Sequence, residues 1–306
     1  MGRPRLAAGK IKIIFGDEKG MGKKVILTAD STCDLGEDLK ERYQVHYYPY
    51  HIILGEKQYT DSVDIVPDDL YAAWRERRLL PKTAAIGAGE YYQFFKPWVD
   101  EGYEVVHLNL GSALSSAHQN CVAAASELGH VYPVDSCNLS TGTGLLVIQA
   151  GERIRAGMSG AEVQRELQAL VQRCHASFIL DTLEFMHAGG RCSSIVALGA
   201  NLLHLKPCIQ VDNKNHGAMS VGKKYRGALE KVLPQYTADV LGAYGELDLD
   251  HVFITHSGIS QERIDLVAKE VKKLASFKEI HVTRASCTIS AHCGPNTLGV
   301  LFMTRA

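Results

Sequence analysis

From Val25 onward, apolar and polar positions switch between a short alternating rhythm and a helical one. Val25 to Ala29 is a β-prone run that stops at Asp30-Ser31-Thr32. Val45 to Leu54 predicts a second extended segment, rich in Tyr, His and Ile. Pro67 opens a helix, because its fixed φ suits the first helical turn. The pattern then predicts a helix over Glu90–Asp100, a strand over Val105–Leu110, a helix from Ser115 to Leu128 and a strand over Val131–Val134. Leu139 to Ala156 reads as a buried helix. The next helix is the best specified. Ser159 and Glu162 have capping-box spacing, and Val163, Leu167, Leu170, Val171 and Cys174 form one apolar stripe. Phe178 to Leu180 begins a second region, with strands near Pro207–Asp212, His251–His256, Ile280–Arg284 and Leu298–Thr304. Ser260 caps a further helix with the stripe Ile264, Val267, Ala268, Val271 and Leu274.

Strands alternating with helices predict an α/β fold built on a parallel sheet. The division falls near residue 175, giving an N-terminal α/β domain over 24–175 and a C-terminal one over 176–306. No low-complexity linker separates them, so the two should pack closely. Residues 1–23 read as a basic, poorly ordered leader. The first 24 positions hold seven Lys or Arg against Asp17 and Glu18, and a second Met-Gly stands at Met21-Gly22.

Composition narrows the classes. The chain of 306 residues is 46% hydrophobic and 22% charged, with a net charge of -1, which excludes collagen, disorder and a pure coiled coil. No apolar run approaches the roughly 18 residues of a membrane-spanning helix. Near-neutral charge gives no electrostatic case for nucleic acid or an anionic membrane. With the first 24 positions set aside, the remainder holds 26 basic and 32 acidic residues, which strengthens that exclusion. The eight Cys include no CxxC pair and mostly lie in apolar runs. They read as core thiols of a reducing, cytoplasmic compartment. Cys287, Cys293 and His292 fit no structural zinc spacing, and no metal site is expected.

Three strand ends share hydroxyls: Asp30-Ser31, Gly111-Ser112 with Ser115, and Asp135-Ser136. In a parallel sheet these ends face one way, and ligands bind in the crevice outside them. Free N–H groups at the following helix starts would favour an anion or carboxylate there, although each Ser alone serves equally as a helix cap. Gly217 to Lys224 falls one residue short of a P-loop, with Lys224 where a hydroxyl should be, and Asn213–His216 reads as a turn. No nucleophile elbow or zinc-protease motif occurs. Arg191, in Ala188-Gly189-Gly190-Arg191-Cys192-Ser193, and Arg226, in Tyr225-Arg226-Gly227, sit on Gly-flanked turns suited to bidentate phosphate or carboxylate contact.

These residues resemble a known family. Asp30-Ser31-Thr32-Cys33-Asp34-Leu35, Lys82-Thr83, Ser112-Ala113-Leu114-Ser115 and Asp135-Ser136 appear in the order of the DegV family of bacterial fatty-acid-binding proteins. Leu183-Glu184-Phe185, Gly189-Gly190-Arg191-Cys192-Ser193, Leu205-Lys206-Pro207, Tyr225-Arg226-Gly227 and Ala291-His292-Cys293-Gly294-Pro295 continue the likeness to the C-terminus. The resemblance implies a two-domain fold, with a parallel N-terminal sheet, a mixed C-terminal sheet and one long-chain fatty acid buried between them. It implies a monomeric, non-catalytic subunit that presents the carboxylate to a separate kinase subunit for conversion to an acyl-phosphate. ATP and Mg²⁺ belong to that partner, and no cofactor belongs to this chain. Thr83, Ser115 and His292 would hold the carboxylate. Arg191 and Arg226 would lie near the head group or face the kinase, with Ser31, Ser112 and Ser136 on neighbouring strand-end loops.

The chain departs from the family pattern at Ala84, Ile86-Gly87, Gly111 and Asn296. These changes spare the carboxylate triad but alter neighbouring loops, and so bear on acyl-chain preference or ligand class. Two other readings stay open: a hydrolase using Ser31, Cys33 or Ser115 as nucleophile, and a binder of another amphipathic carboxylate.

Overall fold

The computed structural model describes residues 24–198 and 205–305. The leader expected over 1–23 lies outside the described residues. The chain begins with β1 (Val25–Asp30), α1 (Glu37–Tyr43), β2 (His46–Tyr48), β3 (His51–Leu54) and β4 (Lys57–Thr60). It continues through α2 (Pro67–Arg77), β5 (Lys82–Ala84), α3 (Ala88–Asp100), β6 (Glu104–Asn109), α4 (Ala117–Leu128) and β7 (Val131–Asp135). Next come α5 (Thr141–Arg155), α6 (Gly160–Leu170), β8 (Cys174–Ile179), α7 (Glu184–Gly189), β9 (Leu205–Asp212) and β10 (Ala218–Arg226). The last are α8 (Leu229–Gly242), β11 (Leu247–His256), α9 (Gln261–Leu274), β12 (Glu279–Arg284), α10 (Cys287–Cys293) and β13 (Leu298–Thr304).

Strands β2-β1-β6-β7 form a parallel sheet, and β10-β9-β8-β13-β11-β12 a mixed one. A small antiparallel sheet, β4-β3-β5, stands beside them. Helix α5 is apolar on nearly every side and lies between the two large sheets. Its Leu145, Leu146, Val147 and Ile148 join Leu27 and Val106 of the first sheet and Ala176, Phe253 and Leu301 of the second in one core. The expected close packing of the two regions is thus achieved through a shared helix. No helix among the described residues is long and apolar enough to cross a membrane.

The cap expected on α6 is present. The Ser159 N–H donates to Glu162 Oε2 at 2.8 Å, and Val163 and Leu167 are fully buried. Its stripe ends sooner than periodicity suggests: α6 stops at Leu170, and Cys174 opens β8. Residue 175 therefore falls just inside the first strand of the mixed sheet. The single segment expected over Val45–Leu54 is two strands in two sheets, β2 and β3. Pro49 lies between them, and without an N–H it cannot continue a ladder.

Helix α10 is the element on which the two regions meet. It has only seven residues, too few to be stable alone, and its free N–H groups are met by buried carboxylates from the N-terminal region. Asp61 accepts from the N–H of Cys287 at 2.8 Å, the N–H of Thr288 at 3.2 Å and the Thr288 hydroxyl at 2.7 Å. It also accepts from the Ser31 hydroxyl at 3.0 Å. Asp34 accepts from the Ser286 N–H at 2.9 Å and the Ser140 hydroxyl at 2.5 Å.

Both anchors can be tested. Asp61→Asn turns an amide NH₂ toward the N–H of Cys287 or of Thr288, which can only donate, and should lower stability by about 2–4 kcal/mol, read from the urea midpoint. Burial raises the Asp34 carboxyl from 3.8 to about 7. The folded chain therefore holds this proton more tightly than the unfolded one. Its contribution is full below the unfolded pKa and is lost as pH rises through about 7. Urea midpoints across this range should fall more steeply with pH in the native chain than in Asp34→Asn.

Candidate functional site

Asp30, at the C-terminal end of β1, fixes the loop that follows β6. Its carboxylate accepts from the Tyr91 hydroxyl at 2.5 Å and the Leu110 N–H at 2.9 Å, and His107 Nε2 lies 3.0 Å away. This loop delivers Ser115 to the start of α4. Tyr50, in the break between β2 and β3, donates its hydroxyl to Ser115 Oγ at 3.1 Å, and the Ala117 N–H donates at 3.2 Å. With two donors received, the serine oxygen keeps its own proton free to give to a ligand.

Thr83 sits on β5 and His292 on α10, with Thr83 Oγ1 and His292 Nε2 2.9 Å apart. The other imidazole nitrogen is buried without a partner. Gly189 is why the ring fits: a Cβ there would lie 2.2 Å from His292 Nδ1. Burial, aided by the nearby Arg191 charge, pushes the imidazole down to about 4, so it is neutral at physiological pH. With its proton on Nε2, His292 donates to Thr83 and leaves the threonine hydroxyl free to donate. Arg191 follows the left-handed Gly190 that ends α7. Its Nη1 donates to the Gly189 carbonyl at 2.8 Å and its Nε to the Leu114 carbonyl at 3.4 Å.

Thr83, Ser115, His292 and Arg191 all line one cavity of about 200 Å³, whose remaining wall includes Leu110, Leu114, Leu139, Met186, Met219 and Ile289. A narrower apolar crevice shares Leu139, Ile289 and Cys293 and continues to Phe178 and Leu301. The cavity thus has a polar end and an apolar body, and its wall comes from both regions.

The other residues singled out by sequence fall elsewhere. Arg226 is exposed at the end of β10 and does not line the cavity. Of the two placements expected for it, near the head group or facing the kinase, the lining of this cavity does not include the first. Ser31 is spent on Asp61, Ser112 donates to Asp135 at 2.5 Å, and Ser136 pairs with Thr143 at 2.9 Å. These three hold loops together and leave the ligand space to Ser115. Cys33 is buried and its thiol is pushed up to about 12, which removes it as a nucleophile. The pair Thr83–His292 lacks a group orienting Nδ1, so it does not form a triad. Sequence reasoning missed Tyr50, Met186, Met219 and Ile289. Only the Pro49 break hinted at Tyr50, and nothing local marks the others.

Two departures from the family pattern have clear local reasons. Asn296 adopts φ +61, the left-handed region that Asn tolerates best after Gly, and its side chain donates to Asp181 at 3.0 Å. Gly87 starts α3, where its N–H donates to Glu90 at 2.8 Å, and Ile86 is fully buried beside it.

Comparison with known proteins agrees with this geometry. A family model described as an uncharacterised protein of the DegV family matches residues 24–305. A DegV domain-containing protein of Clostridium perfringens is 25% identical over 282 residues, covering 92% of this chain and 98% of its own. A fatty-acid-binding DegV family protein from Thermus thermophilus superposes with a TM-score of 0.83 at 28% identity, covering 92% of this chain and 99% of its own. DegV from Bacillus subtilis, described as a fatty acid binding protein, gives 0.79 at 23% identity, over 92% and 100%. With the family model matching residues 24–305, the chain belongs to the DegV family.

Proposed function

We propose that this protein binds a long-chain fatty acid in the cavity and presents its carboxylate to a separate kinase subunit, without carrying out chemistry itself. The convergence of Thr83, Ser115, His292 and Arg191 at the polar end of an apolar cavity carries this reading. The fatty acid binding described for the 28%-identical Thermus protein supports it. Transfer of about sixteen carbons from water contributes roughly 0.8 kcal/mol per methylene, or about 12 kcal/mol before costs. Most of the affinity then comes from the apolar wall, and the polar end orients the head group and adds a smaller share. Neutral hydroxyl donors leave a carboxylate oxygen nucleophilic, whereas a bidentate Arg clamp would blunt it. Arg191 is exposed and suits the charge of an incoming phosphoryl group. In such a transfer positioning and charge stabilisation do most of the work, so ATP and Mg²⁺ can reside on the partner.

Protein purified from a bacterial host should release a long-chain fatty acid on extraction, identified by mass spectrometry. An empty protein that also rejects added oleate would overturn the binding reading. Ser115→Ala and Thr83→Val each remove one donor and should weaken binding about tenfold with the fold intact. The kinase arm is read separately, by trapping acyl-phosphate with hydroxylamine after adding ATP and a kinase subunit. Bound lipid that yields no hydroxamate with any such subunit would leave a binder alone.

Gly189→Ala gives a sharper check. The new methyl must displace the His292 ring, so oleate affinity should fall at least tenfold, while urea stability falls by about 1–3 kcal/mol with the fold kept by circular dichroism. Unchanged affinity would remove His292 from the site.

A further inference from the structure

We propose that Asp135, Cys137 and His216 form a binding site for a divalent metal of the zinc class, on the edge of the parallel sheet away from the lipid cavity. One carboxylate oxygen, the thiol sulfur and one imidazole nitrogen lie within 4.8 Å of one another. The His216 Nδ1 to Asp135 Oδ2 distance is 3.4 Å. The edge of a tetrahedron with bonds of about 2.0 Å is about 3.3 Å, so this pair already has the spacing of two ligands. A mixed set of sulfur, nitrogen and oxygen favours zinc over the hard, all-oxygen cations.

The three groups stand on backbone that is held in place. Asp135 ends β7, and its Oδ1 accepts from the N–H groups of Ser112 at 3.1 Å and Cys137 at 2.9 Å. His216 belongs to the β9–β10 turn, which comes from the other sheet. That turn is tied to the loop after β6, since the Ala113 N–H donates to the His216 carbonyl at 3.1 Å. Gly111 makes the approach possible: a Cβ there would lie 2.8 Å from the His216 carbonyl oxygen. The departure of this chain at Gly111 therefore goes with the close approach of the β9–β10 turn that carries His216. All three side chains border an open cleft of about 680 Å³, so a metal held by three protein ligands keeps a fourth position facing solvent, with His118 on the same wall.

Binding replaces the Asp135–His216 hydrogen bond with two metal bonds and releases the Cys137 thiol proton to solvent. A metal takes the place of that proton, so affinity rises with pH. A second cluster, His251, Glu279 and His281, is less suited. Arg42 holds both oxygens of Glu279 at 2.9 Å, a cation already occupying the carboxylate.

The test is a cobalt titration of the full chain, because Co²⁺ occupies zinc sites and shows thiolate coordination as a near-ultraviolet charge-transfer band. One equivalent should bring up the band, and Zn²⁺ should abolish it by displacement. Cys137→Ser should remove the band, and His216→Asn, which keeps the left-handed turn, should weaken cobalt binding at least tenfold. His251→Gln should change neither. Circular dichroism verifies the fold of each variant. Absence of the band in the native chain, or a band unchanged in Cys137→Ser, overturns the proposal.

Discussion

Helix α10 cannot hold itself in place, and the rest of the binding site depends on what holds it. Seven residues leave most of its N–H groups without an intrahelical acceptor. Asp61 and Asp34 supply acceptors from the opposite region, in a setting with almost no water. An unpaired carboxylate there would be very unfavourable, and so would the bare helix end, so each is stable only with the other. His292 and Cys293 ride on this helix into the cavity. The same contacts that join the two regions therefore set the position of the imidazole relative to Thr83 and Ser115, which belong to the other side.

Within the cavity, affinity and orientation are separated. Leucine, isoleucine and methionine side chains supply the apolar wall. The polar end works through oriented protons: Tyr50 and the Ala117 N–H fill the Ser115 oxygen, and His292 faces Thr83. Burial, with the Arg191 charge nearby, keeps His292 neutral. Gly189 contributes by being absent as a side chain, which lets the ring lie against the backbone.

Much of this was legible in the order of residues. The parallel sheet followed from strand and helix rhythms, and the capping box of α6 marked its own start. Ser115 stood out at a strand end and Arg191 on a Gly-flanked turn, Thr83 and His292 came from a resemblance, and the structure brings all four to one cavity. What stayed hidden was non-local. Short strands such as β5 have three residues and carry no periodicity, and a proline divided one apparent strand between two sheets. Met219 and Ile289 look like ordinary core until the fold juxtaposes them. Arg226 shows the reverse: its Gly-flanked turn is as suggestive as that of Arg191, yet it stands apart from the cavity.

Helix α5 has a wider consequence. Because Leu146 and its neighbours complete the cores of both large sheets at once, neither sheet keeps a whole interior if the other melts. The molecule has no internal seam along which half of it could stay native. Unfolding should then proceed as one cooperative event, and a truncation after α6 would expose one flank of α5 and leave the remaining sheet with an open interior.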